Sequence, residues 1–212
     1  MNELETDMMN PWIEWVKQLQ AVSQAGKAYS KDPYDLERFD SIADIAYQMF
    51  SHLSGAPVEQ IQNLFMPETG YPTPKIDLRA GVIEDNKILL VREREDNCWT
   101  LPGGWADVSE TPSHGVVREV LEESGYVVGQ PRLVAIRDRA VHPYEPVFPF
   151  HIYKLFFICQ LVSGKPVINT EISEIGFFEA DQLPPLSRSR VLPEDIHMIF
   201  AHARESLPVI VD

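Results

Sequence analysis

From Trp12 onward the apolar positions Trp12, Trp15, Val16, Leu19, Val22 and Tyr29 recur at helical spacing, and Asn10 followed by Pro11 supplies a cap and a first-turn proline. The spacing predicts a first helix. After the Asp32-Pro33 break, Phe39, Ile42, Ala43, Ala46, Phe50 and Leu53 repeat the pattern up to Gly55, a good stop residue, and predict a second. Pro57, Val58, Ile61, Leu64 and Phe65 suggest a short third helix, which ends where Pro67, Gly70, Pro72 and Pro74 crowd together as a linker.

Beyond the linker the pattern changes. Ile76–Ile83 and Lys87–Arg94 are β-rich runs that Asp85-Asn86 is expected to join as a hairpin turn. Further strands are expected at Trp99–Leu101, Val127–Arg139, Phe150–Val162 and Ile175–Phe178, with a last helix over Pro193–Ser206. The chain thus divides into a small helical N-terminal domain at 1–66, a Pro-rich linker at 67–75 and an α/β domain at 76–212. Three short helices have few partners for their apolar stripes, so they pack on the β-rich domain as a plain cap or on a second copy of the chain as a homodimer. There is no internal repeat and no low-complexity tract.

Composition narrows the function classes. With 44% hydrophobic and 24% charged residues among 212, the chain has the make-up of a packed globular protein. A formal net charge of -14 repels a phosphate backbone, which argues against polymeric nucleic acid as a partner, although an acid excess is by itself usually a solvated surface. Cys98 and Cys159 stand far apart, outside any CxxC or His-rich setting, and read as buried or neutral thiols. The residues Met1–Met9 are acidic with no apolar signal core, and the most apolar stretch, Phe148–Val162, is broken by His151 and Lys154. A cytoplasmic protein without membrane contact is expected.

The chemistry is concentrated in GWADVSETPSHGVVREVLEESGY, which starts at Gly104. Thr111 and Pro112 form a capped start and Gly125 a stop, so a helix should span about 112–124. Glu119, Glu122 and Glu123 are related by i, i+3 and i+4 and share one face, while Val117, Val120 and Leu121 are expected on the other. Like charges at that spacing disfavour a helix unless a cation sits among them, and hard oxygen ligands favour Mg²⁺ or Mn²⁺, ions that serve phosphoryl chemistry. Gly103 and Gly104 would let the backbone approach a metal or phosphate, and Arg118 can pair with Glu110 to tie the preceding loop to the helix.

This segment resembles the Nudix box: Gly104, five residues, Glu110, seven residues, then Arg118-Glu119, a hydrophobic residue, any residue, Glu122-Glu123, any residue, Gly125 and a final hydrophobic position, filled here by Tyr126. A chance match is on the order of one in ten million, so coincidence is set aside. The resemblance implies an α/β/α sandwich with a mixed sheet. By analogy, Glu119, Glu122, Glu123 and the Gly104 carbonyl would hold the metal, Glu110 and Arg118 would form a brace, and a metal-activated water would attack phosphorus. The products would be a nucleoside monophosphate and the phosphorylated second group.

The stretches WIEWVKQLQAVSQAGKAYSKDPYDLERF and PTPKIDLRAGV are also similar to a Nudix subgroup with a helical domain ahead of the catalytic one. That resemblance implies a dimer acting on CDP-choline, giving CMP and phosphocholine, or on ADP-ribose, giving AMP and ribose 5-phosphate. Arg79, Trp105 and Phe150 are the candidate substrate-binding residues. Trp105, Tyr144, Phe148 and Phe150 could cage a choline head or simply serve the core. A proline after the box is associated with ADP-ribose hydrolases, and Pro143, Pro146 and Pro149 lie in that region without deciding the matter. Arg79, Arg92, Arg94 and Arg137 could each hold a phosphate or an exposed carboxylate, the latter being expected. His142 and His151 read as loop or core residues, and Glu171 or Glu174 could supply a further base. Rival readings are a nucleotide sensor that does not cleave, a diphosphate isomerase, and a hydrolase of oxidised nucleoside triphosphates. The intact box argues against the first two, and the extra helices favour a larger, two-part substrate over the third.

Overall fold

The computed structural model describes residues 11–65 and 69–212, so the expected Asn10 cap, Pro67 of the linker and the acidic first nine residues lie outside the described residues. The chain separates into two compact units, one running to Pro74 and including Pro149–His151, the other made of Lys75–Phe148 and Ile152–Asp212.

The first unit holds α1 (Pro11–Tyr29), α2 (Pro33–Ser54) and α3 (Val58–Phe65). Asp32 starts α2 by accepting from the Tyr34 and Asp35 amides, and Gly55 ends it with its own N–H on the Ser51 carbonyl. Val16, Ala46, Phe50 and Ile61 form its core. The face that α1 buries is turned from the one its apolar residues mark. Val16, Gln20 and Ser23 are buried, and Ser23 Oγ donates to the Phe39 carbonyl at 2.6 Å. Trp12, Trp15, Val22 and Tyr29 are instead 50% or more exposed, with the two indoles edge to face at 5.2 Å. Small and polar side chains let α1 approach α2 closely, which the bulky indoles would prevent.

The second unit is built on β1 (Lys75–Glu84), β2 (Lys87–Glu93), β3 (Trp99–Thr100), β4 (Tyr126–Asp138), β5 (Ile152–Gly164), β6 (Ile172–Phe178) and β7 (Ile210–Val211), with α4 (Pro112–Ser124) and α5 (Pro193–Arg204). The order is β3-β2-β1-β5-β4-β7, with β6 on β2. The pairing is mixed: β1 runs parallel to β5 and β4 to β7, while β4 and β5 are antiparallel. Asp85 and Asn86 both take positive φ, 47° and 58°, as a tight hairpin turn requires, and bring Ile83 opposite Ile88.

Alternation along the strands divides the core between the two faces. Leu78, Ala80, Val82, Leu89 and Phe157 pack with Val116 and Val120 of α4. Ile88, Leu90, Val134 and Phe156 pack with Ile196, Ile199 and Phe200 of α5. Helices therefore cover both faces of a mixed sheet, the α/β/α sandwich expected from the sequence. Three details differ. On α4 the buried positions are Gly115, Val116, Val120 and Ser124, and Leu121 is 49% exposed. The helix thus turns a face about one position away from the expected one to the sheet. Strand β5 begins at Ile152, so Phe150 is outside it and packs in the helical unit's core. The two-residue β7 was not expected, being too short to show a period.

Candidate active site

The box loop and helix form as their residues dictate. Thr111 Oγ1 accepts from the His114 amide at 3.2 Å, Pro112 opens α4, and Gly125 closes it at φ 76°. Arg118 ties the loop to the helix: its Nε and Nη2 donate to both Glu110 oxygens at 3.0–3.3 Å, while Nη1 reaches Glu122 at 2.8 Å and Glu119 at 3.0 Å. Those hydrogen bonds from Arg118 hold Glu110 below the usual carboxylate range.

Glu119 and Glu123, one turn apart on α4, line a cavity of about 670 Å³ in the second unit, within the range typical of small-molecule sites. Six carboxylates border it, Asp77, Glu93, Glu95, Glu119, Glu123 and Glu171, against four cations, Arg79, Arg139, Lys154 and Arg190. With all ionised, the lining carries an excess of two negative charges.

Glu123 accepts from the Gly103 amide at 2.8 Å. Burial pushes its carboxyl up to about 8 against the opposing pull of Arg79 and that amide. Burial also raises Glu119, with Arg118 opposing. These two carboxylates gain most from a nearby cation. Glu122 stands apart: its side chain is 57% exposed, it turns to Arg118, and it does not line the cavity. Consistent with this, no three His, Cys, Asp or Glu side chains converge as a metal cage among the described residues. The Gly104 carbonyl accepts from the Leu78 amide at 2.8 Å, which leaves it one further lone pair. The donor set is all oxygen, and the charge excess matches one divalent ion, so the residues fit Mg²⁺ or Mn²⁺.

On the cavity floor, the parallel register sets Asp77 directly opposite Lys154, and Lys154 Nζ closes on Asp77 Oδ2. Arg79 Nη2 joins the same carboxylate at 2.8 Å and donates through Nη1 to the Leu101 carbonyl at 3.1 Å. Burial would raise Asp77, but the two cations outweigh it and hold it below the usual range. Burial also brings Lys154 down to about 8, with Asp77 opposing. Arg79 is thus a buried residue, 5% exposed, where an exposed pairing was expected. Arg137 departs in the same way, bound to the buried Asp195 at 2.6 Å. Arg92 does pair at the surface, with Glu174, and Arg94 donates to the Asn169 carbonyl.

Of the four candidate aromatics, Trp105 and Phe148 line the cavity, their rings 6.4 Å apart. Tyr144 is buried and donates to Asp195 Oδ2 at 2.6 Å, and Phe150 packs against the core of the helical unit; neither lines the cavity, so the expected substrate contact of Phe150 is not formed there. Glu171 lines the cavity whereas Glu174 does not. His142 pairs with Asp212 at 2.8 Å. The sequence reading missed Glu93, Glu95, Arg139, Lys154 and Arg190. Only Lys154 left a signal, as a lone charge in an otherwise apolar strand. Arg190 holds Glu93 at 2.7 Å and Glu95 at 2.6 Å, joining a distant loop to the end of β2 and the turn after it, a contact that no local spacing encodes.

Both cysteines are free thiols, Cys159 buried and pushed up to about 12 by that burial. Among the described residues no helix is long and apolar enough to cross a membrane.

Comparison with known proteins agrees with this geometry. Residues 76–199 match the NUDIX domain model, and residues 10–65 match the model described as a UDP-X-like, N-terminal oligomerisation domain. YjhB of Bacillus subtilis (strain 168), provisionally named an ADP-ribose pyrophosphatase, is 40% identical over 91% of this chain and 92% of its own. The crystal structure of a UDP-X diphosphatase superposes with a TM-score of 0.62 at 30% identity, covering 95% of this chain and 98% of that one. An ADP-ribose pyrophosphatase from Streptococcus suis 89-1591 gives 0.58 at 35% identity, covering 66% and 100%. With the box intact, both domain models matched along the chain and the mixed sheet covered on both faces, this chain belongs to the Nudix hydrolase family, in the subgroup that carries an N-terminal helical domain.

Proposed function

We propose that this Nudix pyrophosphohydrolase cleaves the diphosphate of a nucleoside diphosphate joined to a small second group, with CDP-choline as substrate giving CMP and phosphocholine. The observation that carries the class is the cavity itself, in which two partly buried box carboxylates stand with four cationic side chains. Metal and phosphates would be accommodated together. Glu119 and Glu123 would hold Mg²⁺ or Mn²⁺ with the remaining lone pair of the Gly104 carbonyl, and Glu122 would join on leaving Arg118. Such an ion, when bound, activates a water and neutralises charge on the phosphate oxygens. Arg118 and Glu110 keep the loop against the helix, and Arg79, held by Asp77, offers its remaining charge to a phosphate. Glu171, which lines the cavity, would take the proton of the attacking water, whereas Glu174 does not line it and is paired with Arg92.

The choline reading rests on Trp105, which is 47% exposed on the cavity wall. A second reading, ADP-ribose giving AMP and ribose 5-phosphate, is favoured by the names borne by YjhB and the Streptococcus suis enzyme. We further take the chain to be a homodimer through its helical unit, supported by the half-exposed Trp12 and Trp15 and by the oligomerisation model matched there. Two free thiols favour the cytoplasm. The test is incubation with Mg²⁺ and CDP-choline, ADP-ribose or nucleoside triphosphates, followed by chromatography of products. CMP with phosphocholine supports the first reading and AMP with ribose 5-phosphate the second. Cleavage of triphosphates alone overturns both.

A further inference from the structure

Buried and partly buried cations in the second unit come with carboxylates: Arg79 and Lys154 share Asp77, and the partly buried Arg137 has Asp195. Arg139 does not. It is 7% exposed and lines the active-site cavity, yet its ion-pair distance is reached by no carboxylate among the described residues. Its Nη2 donates to the backbone carbonyls of Pro146 at 2.8 Å and Ser189 at 3.4 Å, and its guanidinium makes no other hydrogen bond among the described residues. Two rings flank that group, Tyr144 at 5.5 Å and Phe148 at 5.4 Å from centroid to Cζ. Burial lowers its affinity for the proton, the mark of a charge stripped of water without full compensation.

Bridging two carbonyls needs a donor, not a charge, and an unpaired buried charge is among the more destabilising features a fold can carry. A guanidinium held rigidly at a cavity wall, with donors unspent, is compensated when an anion arrives. Phe148 joins Arg139 to Trp105, so an anion held there lies beside the aromatic part of the cavity.

We propose that Arg139 is a substrate-binding residue that takes a phosphate of the nucleoside diphosphate, on the aromatic side of the cavity and away from the box carboxylates. This rests on the diphosphate reading above. It makes Arg139 a determinant of affinity for the diphosphate itself, whichever second group the substrate carries.

Calorimetric binding of ADP and of CDP to the full chain, without metal, reads this contact independently of turnover. Arg139→Met is expected to weaken both by about tenfold to a hundredfold, the usual range for losing a charge-assisted hydrogen bond, and Arg139→Lys to recover part of the loss. In turnover, KM should rise with kcat changed far less. A thermal melt separates this from a loosened loop: a merely structural arginine would lower Tm in both variants and leave nucleotide affinity, measured below that Tm, unmoved. Affinity for ADP and CDP within about twofold of wild type in folded Arg139→Met overturns the proposal. Failure of the wild type to cleave any linked nucleoside diphosphate, with Arg139-dependent binding retained, would retire the diphosphate hydrolysis reading and leave this contact standing.

Discussion

The Gly103 amide donates to Glu123 Oε2 at 2.8 Å, so the loop before the box helix is fastened to the most buried of the box carboxylates. Gly103 sits at φ 147°, and a Cβ there would lie 2.9 Å from the Leu78 carbonyl carbon and closer still to its oxygen. Gly103→Ala must therefore move the loop away from β1. We expect turnover to fall by about a hundredfold or more, because a displacement near 1 Å at a reacting centre is enough for that. Steady-state kinetics beside a far-UV spectrum checks it; full activity would mean that the loop position is not needed.

Arg118 touches Glu110, Glu119, Glu122 and Asp107 at 2.8–3.4 Å. A lysine keeps the charge but cannot grip Glu110 with two parallel donors. Arg118→Lys should weaken Mn²⁺ binding or turnover by roughly tenfold to a hundredfold, the range for residues that orient metal ligands. Mn²⁺ titration followed by electron paramagnetic resonance measures it, and an unchanged affinity would remove Arg118 from any orienting role.

The three box carboxylates should not be equivalent. Glu119 and Glu123 line the cavity, whereas Glu122 is held outside by Arg118. Glu122→Gln is expected to lower turnover by roughly tenfold to a hundredfold with the fold intact, and Glu119→Gln and Glu123→Gln by more. Near-normal turnover in Glu122→Gln would take it out of the ligand set.

What the sequence disclosed was what is local. The helix cap at Thr111, the stop at Gly55, the Asp85-Asn86 turn and the Glu110–Arg118 pair all follow from spacing within one element or across one loop. What it withheld depends on pairing between distant segments. Asp77 and Lys154 meet only because β1 and β5 run parallel in one register, so Arg79 reads as a surface cation in the sequence and is a buried one, paired with Asp77, in the fold. Leu121 and Val116 changed places because apolar spacing gives a helix face only to within about one residue, and the sheet chooses. Arg139 stayed hidden because its partners are backbone carbonyls from two loops.

Glu123 makes the stability of the metal-free protein depend on pH in an unusual sense. Its folded-state carboxyl is raised from 4.5 to about 8 by burial, so the folded chain keeps a proton that the unfolded chain releases. Stability is then fully present below 4.5 and is lost as pH rises through about 8. Melting wild type and Glu123→Gln in chelator across this window should show a Tm that falls by roughly several degrees in the former and a flatter profile in the latter. Saturating Mg²⁺ should remove the difference in slope by holding Glu123 ionised. Parallel profiles in chelator would show that Glu123 does not carry the proton.

His202 gives the opposite slope, on the acid side. It lies on α5, 1% exposed, and neither ring nitrogen has a partner among the described residues. Burial, helped by Arg132, lowers its affinity for a proton from the ordinary 6.5. As pH falls below 6.5 the unfolded chain takes up a proton that the folded chain refuses, and stability is lost. A leucine of similar size would keep the helix and pack with Met198 and Ile199, buried one turn earlier, while removing two unsatisfied polar atoms. His202→Leu is therefore expected to stabilise the fold by about 1–2 kcal/mol near neutrality, and by more in acid. Urea unfolding at two pH values, one on each side of 6.5, measures both effects. The Arg132 contact should survive, because it is made to the His202 backbone carbonyl, at 2.7 Å, and not to the ring. Loss of stability in the leucine variant at both pH values would mean that the imidazole is hydrogen-bonded through an ordered water, and that its burial is compensated.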